Sequence, residues 1–226
     1  MEKCSLIDYP GKICCIIYTI GCNYRCSFCY NRDLLTQKEF DASSREAISE
    51  CDVLEYIEKN SKMLDAVCIT GGEPTLQSDL PIFCHKVKAI GKLVKIDTNG
   101  TGPNQLLRCI KMGVVDYFAM DLKGPPEKYK EITGVDFSEE VWDSINIIKN
   151  SGLPHEFRLT LNPQLTKQDV IDTISLVPGS KVFLQKFEPA NALFPDARKM
   201  ISLPETVANE VKEETKDIAN VELRGF

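Results

Sequence analysis

Histidine and tryptophan are nearly missing from this 226-residue chain, at two and one. His85 and His155 fall on a predicted helix and on a helix-to-strand connection, so neither lies on a motif loop. Basic runs are missing as well: 27 Lys plus Arg face 33 Asp plus Glu, a net charge of -6. That balance excludes a dedicated nucleic-acid protein, whose affinity comes from neutralised phosphates, and otherwise describes an ordinary acidic surface. No stretch approaches the roughly 20 apolar residues of a membrane helix. Ile13 to Ile20 is only strand length and lacks the small-residue cleavage site of a signal peptide. Cysteine is abundant, at ten, but Cys4, Cys14, Cys15, Cys51, Cys68, Cys84 and Cys109 show no disulfide-framework spacing. The expected setting is a reducing cytoplasm, with no membrane and no nucleic acid as partner.

The other three cysteines are spaced for chemistry. They lie in Thr19-Ile-Gly-Cys22-Asn-Tyr-Arg-Cys26-Ser-Phe-Cys29-Tyr-Asn31, a loop closing an apolar strand. Three thiolates on one loop can converge on a single inorganic centre. A four-iron cluster held this way has one iron without a protein ligand, and an open position is what separates a catalytic metal site from a structural one. A zinc site and plain buried thiols are the alternatives, although zinc normally takes a fourth protein ligand. Cys14 and Cys15 are adjacent on a strand and face opposite ways, so they read as core.

Around this loop the chain alternates strand and helix. A Pro-Gly turn at Pro10-Gly11 feeds the first predicted strand, Ile13 to Thr19. Ser43-x-x-Glu46 is a capping-box signature that predicts a helix with Ala47, Ile48, Cys51, Leu54 and Ile57 on one face. Strands follow at Asp65 to Thr70, Leu93 to Thr98, Val114 to Asp121, Glu156 to Leu161 and Lys181 to Phe187, with helices between them. Near Ser78 to Ile90, Asn104 to Met112, Glu139 to Asn150 and Lys167 to Leu176 the pattern is helical. A Pro-rich loop, Phe187 to Pro204, precedes a last helix at Glu205 to Ala219 and a short edge strand at Val221 to Arg224. The expectation is one α/β domain over residues 1–226, with parallel strands and right-handed crossovers.

In such folds the C-terminal ends of the strands form the active face. The polar motifs all fall there: the cysteine loop, Gly71-Gly72-Glu73-Pro74, Asp97-Thr98-Asn99-Gly100, Asp121-Leu122-Lys123 and Gln185. Glycines at a strand end let a ligand approach the backbone, and Glu73 offers an acceptor to a ligand ammonium. Taken singly, each motif is equally a tight turn, an Asn-Gly turn or a structural ion pair.

Cys22, Cys26, Phe28 and Cys29 form Cys-x-x-x-Cys-x-aromatic-Cys. Together with Gly71-Gly72-Glu73-Pro74 this resembles the radical S-adenosylmethionine enzymes. The chain looks more narrowly like activating enzymes of glycyl-radical enzymes, of the anaerobic ribonucleotide reductase type. Asp8-Tyr-Pro-Gly11, Cys29-Tyr30-Asn31, Asp97-Thr98-Asn99-Gly100 and Asp121-Leu122-Lys123 followed by Tyr129-x-x-x-x-Gly134 support this. The resemblance implies a partial (β/α)6 barrel of the radical SAM type. It implies a 4Fe-4S cluster on Cys22, Cys26 and Cys29, with S-adenosyl-L-methionine on the open iron. Phe28 and Tyr30 would pack near the adenine, and Gly72 and Glu73 would receive the methionine amino group. Thr98, Asn99, Asp121 and Lys123 would line the methionine and ribose side. In related activases the positions of Asp97, Thr98 and Asp121 also help hold a monovalent cation. Many activases have histidine where Tyr30 stands. Reduction of the cofactor would yield a 5'-deoxyadenosyl radical that takes hydrogen from a glycine of the partner, with a flavodoxin- or ferredoxin-like reductant and Arg158 steering the partner's loop. Rival readings are radical chemistry on a small molecule or another peptide, and a non-enzymatic iron-sulfur or zinc module.

Overall fold

The computed structural model describes residues 1–189, 199 and 201–226. The loop expected from Phe187 to Pro204 lies mostly outside these residues. Two compact units are present, one of Met1–Asn23, Asp33–Ala119 and Glu140–Pro154, the other of Tyr24–Arg32, Met120–Glu139 and His155–Phe226. The strands Glu2–Ser5 (β1), Cys14–Thr19 (β2), Ala66–Gly71 (β3), Leu93–Thr98 (β4), Tyr117–Leu122 (β5), His155–Leu161 (β6), Lys181–Lys186 (β7) and Asn220–Arg224 (β8) follow chain order in one eight-stranded sheet. The helices are Gln37–Asp41 (α1), Glu50–Lys59 (α2), Leu80–Ala89 (α3), Pro103–Lys111 (α4), Tyr129–Thr133 (α5), Glu139–Asn150 (α6), Lys167–Ser175 (α7) and Glu205–Glu214 (α8). The fold class is the α/β one with parallel strands that the alternation predicts.

In the first unit β2, β3 and β4 pair in parallel, with Ile16 opposite Cys68 and Cys68 opposite Lys95. One face of these strands packs Tyr9, Cys14, Ile16, Ala66 and Cys68 into a core, with Tyr18, Leu93 and Tyr117 against it. Both faces of β2 and β3 are apolar, as parallel strands covered on two sides require, whereas β4 carries buried Lys95 and Asp97 on one face. Cys14 and Cys15 are completely buried, and burial pushes their thiols up to about 12 and about 11, so both stay protonated at neutral pH. In the second unit β6, β7 and β8 are parallel, with Leu159, Leu184 and Leu223 in register.

Two local expectations are corrected. The strand β1 pairs antiparallel to β2 at the sheet edge, where no strand was expected. The Ser43 capping box does not start a helix: the Ser43 hydroxyl donates to the Phe40 carbonyl at 2.7 Å, closing α1. Helix α2 instead begins beyond Ser49, whose hydroxyl accepts the Asp52 N–H at 3.1 Å. Ser-x-x-Asp at 49–52 satisfies the same orphan N–H, and the second signal won. Among the described residues no helix is long and apolar enough to cross a membrane.

Candidate active site

The end of β2 and the loop after β3 are stitched together within the first unit. Gly21, at φ +102, turns the chain out of β2, a conformation that favours glycine. The Gly21 and Cys22 N–H groups then donate to the Leu34 and Leu35 carbonyls at 2.8 and 3.0 Å, which fixes the backbone at the first cysteine. Gly72 donates to the Thr19 carbonyl at 2.9 Å and Glu73 to the Gly21 carbonyl at 2.7 Å. A Cβ at Gly72 would lie 2.1 Å from the Gly21 carbonyl oxygen, so only glycine fits this contact.

Glu73 is 1% exposed and committed internally. Its Oε1 accepts from the Thr75 N–H at 3.0 Å, the Thr75 hydroxyl at 2.5 Å and the Thr98 hydroxyl at 2.7 Å. Its Oε2 accepts from the Asn99 N–H at 2.7 Å. Burial pushes the carboxyl above its ordinary value, and these four donors oppose the shift. The carboxylate therefore ties β3 to β4, where the sequence offered it to a ligand ammonium. Asn99 carries the tie onward: its Nδ2 donates to the Cys22 sulfur at 3.9 Å and to Asn23 Oδ1 at 3.0 Å. Thr98 and Asn99 are both buried. Beneath them Lys95, 2% exposed, pairs with Asp97 at 2.5 Å and lies over the Tyr117 ring. Asp97 thus has a protein cation against it. Lys95 was missed in the sequence because a lone lysine in an apolar strand reads as surface; its position two residues before Asp97, hence on the same strand face, was the available signal.

The second unit holds the rest of the cysteine loop. Cys26 is buried, Cys29 is half-buried, and both are thiols rather than disulfides. The Cys29 N–H donates to the Cys26 carbonyl at 3.1 Å, and the Asn31 N–H donates to the Cys29 sulfur at 3.4 Å. Phe28 meets Phe187 edge-on at 6.5 Å. Tyr30 stacks on Phe187 at 6.3 Å with 11° between planes, and its hydroxyl oxygen accepts the Glu188 N–H at 2.8 Å.

At the end of β5, Asp121 lies between two cations. Arg158 Nε donates to Oδ1 at 2.7 Å and Lys123 Nζ to Oδ2 at 3.2 Å. Burial alone would push Asp121 up, but Arg158 and then Lys123 outweigh it and hold the carboxyl well below the usual range. Burial works against the Lys123 charge, and Asp121 followed by Cys26 holds it above the ordinary lysine value. Arg158, expected to steer a partner, is engaged with Asp121 instead. Tyr129 lies beside this group and accepts the Lys123 N–H at 3.3 Å.

These donors suit an iron-sulfur cluster. The Cys22 sulfur, in the first unit, accepts an N–H hydrogen bond at 3.9 Å, and the Cys29 sulfur, in the second, accepts one at 3.4 Å; hydrogen bonds to the sulfurs are among the features that tune iron-sulfur clusters. Among the described residues no three His, Cys, Asp or Glu side chains converge on a point that one metal ion could occupy. Ligands to separate irons of a four-iron cluster need not converge in that way.

The sequence profile of the Radical SAM superfamily matches residues 16–177. A Methanocaldococcus jannaschii protein provisionally named a glycyl-radical enzyme activating enzyme is 33% identical over 217 residues, spanning 92% of this chain and 86% of that one. A Thermococcus kodakarensis protein provisionally named a GTP 3',8-cyclase is 28% identical over 174 residues, 76% of this chain and 55% of that one. Among solved structures, Streptococcus suis SuiB bound to precursor peptide SuiA superposes at a TM-score of 0.71, with 14% identity over 93% of this chain and 48% of that one. This chain therefore belongs to the radical SAM superfamily, whose members use a 4Fe-4S cluster and S-adenosylmethionine.

Proposed function

We propose that this protein is an activating enzyme for a glycyl-radical enzyme, an oxidoreductase acting on a glycine of a protein partner in an anaerobic cytoplasm. The observation that carries this reading is the 33% identity that runs through 92% of the chain and 86% of a relative provisionally named for that activity. The cyclase relative, by contrast, is matched over 55% of its length. In this reading Cys22, Cys26 and Cys29 hold three irons and leave one for the amino and carboxylate groups of S-adenosylmethionine. A cluster held there would supply, when reduced, the electron for reductive cleavage of S-adenosylmethionine, and with it the hydrogen abstraction from the partner's glycine.

The protein's part is binding and orientation. Phe28 and Tyr30 flank the adenine. Gly72, without a side chain, lets the loop after β3 close on the Gly21 carbonyl and so sets the backbone that would receive the methionine amino group, and Glu73 acts one step back by holding Thr98 and Asn99. Lys123, kept charged beside Asp121, meets the ligand carboxylate as a fixed cation. No histidine base is needed, in keeping with a chain that has two histidines. A flavodoxin- or ferredoxin-like protein would deliver the electron.

The test is anaerobic reconstitution with iron and sulfide, reduction, addition of S-adenosylmethionine and assay for 5'-deoxyadenosine, with Cys26→Ala as control. A protein carrying a C-terminal glycyl-radical signature is then added and examined by electron paramagnetic resonance. A cysteine-dependent glycyl doublet is the expected outcome. Cleavage without a doublet on any such partner would favour a small-molecule or peptide substrate, and no cleavage under any reductant would refute the enzyme reading.

A further inference from the structure

The loop after β6, Asn162-Pro163-Gln164, has no role in the reading above, yet it is built onto the cysteine loop. Ser27, which follows Cys26, donates its hydroxyl proton to Gln164 Oε1 at 2.9 Å, a contact spanning 137 residues of sequence. Gln164 is itself fixed at several points. Its N–H donates to Asn162 Oδ1 at 3.0 Å, its carbonyl accepts from Lys128 Nζ at 3.0 Å, and its Nε2 reaches Glu131 at 3.5 Å. Lys128 is held in turn by Asp169 at 2.7 Å, the carboxylate that closes the capping box of α7. Asn162 is completely buried.

On the other flank the Arg25 N–H donates to the Thr133 carbonyl, at the end of α5, at 2.8 Å. The turn from Cys26 to Cys29 thus has a main-chain tether before it and a side-chain tether inside it. Only the second depends on which side chains are present. Metal ligands perform when their rotamers are locked by a supporting shell, and a few tenths of an ångström of freedom is enough to weaken a site.

We propose that Gln164 is a positioning residue for the cluster: through Ser27 it fixes the Cys26–Cys29 turn and so slows loss of iron. The inference rests on the assignment of Cys26 and Cys29 as ligands. The experiment uses the reconstituted full chain, transferred anaerobically into a ferrous chelator, with iron release followed by absorbance and the reduced cluster's paramagnetic spectrum recorded. Losing one neutral hydrogen bond should speed release about five-fold in Gln164→Ala and in Ser27→Ala. The double variant should be no faster than either single one, because both remove the same bond. Ser27→Thr, which keeps the hydroxyl, should restore the wild-type rate. Melting of the iron-free proteins should fall by no more than the roughly 2–4 °C that one hydrogen bond is worth, since a wider structural defect would lower it further. If the wild type holds iron and both single variants release it at the wild-type rate, or if their effects add in the double variant, the brace is refuted while the cluster survives. A wild type that takes up no iron overturns both.

Discussion

Gly72→Ala should disable the cluster loop while leaving the fold standing. The new Cβ would lie 2.1 Å from the Gly21 carbonyl oxygen, 2.6 Å from its carbon and 3.0 Å from the Leu34 carbonyl oxygen, against the 3.4 Å at which ordinary contact begins. All three are main-chain atoms, so relief requires the backbone to part by roughly 1 Å rather than a side chain to swing. The atoms that must move also carry the Glu73-to-Gly21 and Gly21-to-Leu34 hydrogen bonds, which lead directly into Cys22. Overpacking of this kind costs about 1–3 kcal/mol, and the main-chain clash places it near the upper end. For a chain of this size about 3 kcal/mol lowers Tm by roughly 6–12 °C. Gly91→Ala is the comparison: Gly91 has φ +82 but nothing within 4 Å of the added Cβ, so only about 1–2 kcal/mol of left-handed strain is expected. Calorimetry, bound iron per chain and 5'-deoxyadenosine formation would be measured on both. Gly72→Ala should lose iron and turnover beyond its loss of Tm, whereas Gly91→Ala should lose Tm alone. Equal iron and turnover in Gly72→Ala and wild type would refute the reasoning.

Glu73→Ala strands the Thr75, Thr98 and Asn99 donors, and should cost on the order of 3 kcal/mol in urea unfolding together with weaker S-adenosylmethionine binding by calorimetric titration; unchanged affinity would show that the β3–β4 tie does not reach the cofactor. Asp121, depressed below the ordinary carboxylate value of about 3.9, contributes stability that is present above that pH and is lost as pH falls through its lower folded value. Acid unfolding of the wild type should therefore have a component below roughly pH 4 that Asp121→Asn lacks and that Arg158→Leu moves up towards pH 4; parallel stability curves for wild type and Asp121→Asn would refute this. Alkylation of the iron-free protein at pH 8, mapped by mass spectrometry, should label the exposed Cys4 and Cys51 quickly and spare Cys14 and Cys15, whose thiols burial holds near 12 and 11. Labelling of Cys15 as fast as Cys51 would contradict that burial.

Spacing along the chain determined a good deal of this protein. Short runs rich in apolar and β-branched residues, separated by helical periodicity, define β4, α6 and β6 within a residue or so of where they occur, because strands and helices bury their side chains with different periods. Three cysteines on a strand-end loop and a Gly-Gly-Glu-Pro turn are local in sequence, so their chemistry is legible without coordinates. Competition between nearby signals was not. Two serine caps six residues apart, Ser43 and Ser49, each offer a helix start, and only the packing of α1 decides that Ser43 closes a helix rather than opening one.

What the tertiary structure alone decided is how each charged group is used. Glu73 has the same sequence whether it faces a ligand or binds Thr75, Thr98 and Asn99; 26 residues of chain separate it from Asn99, and only the pairing of β3 with β4 brings them together. Arg158 reads as a free cation until β6 sets it against Asp121, and Gln164 reads as an ordinary loop residue until Ser27 meets it. A partner for a buried charge or carboxamide is chosen by proximity in space, and sequence separation carries no trace of it.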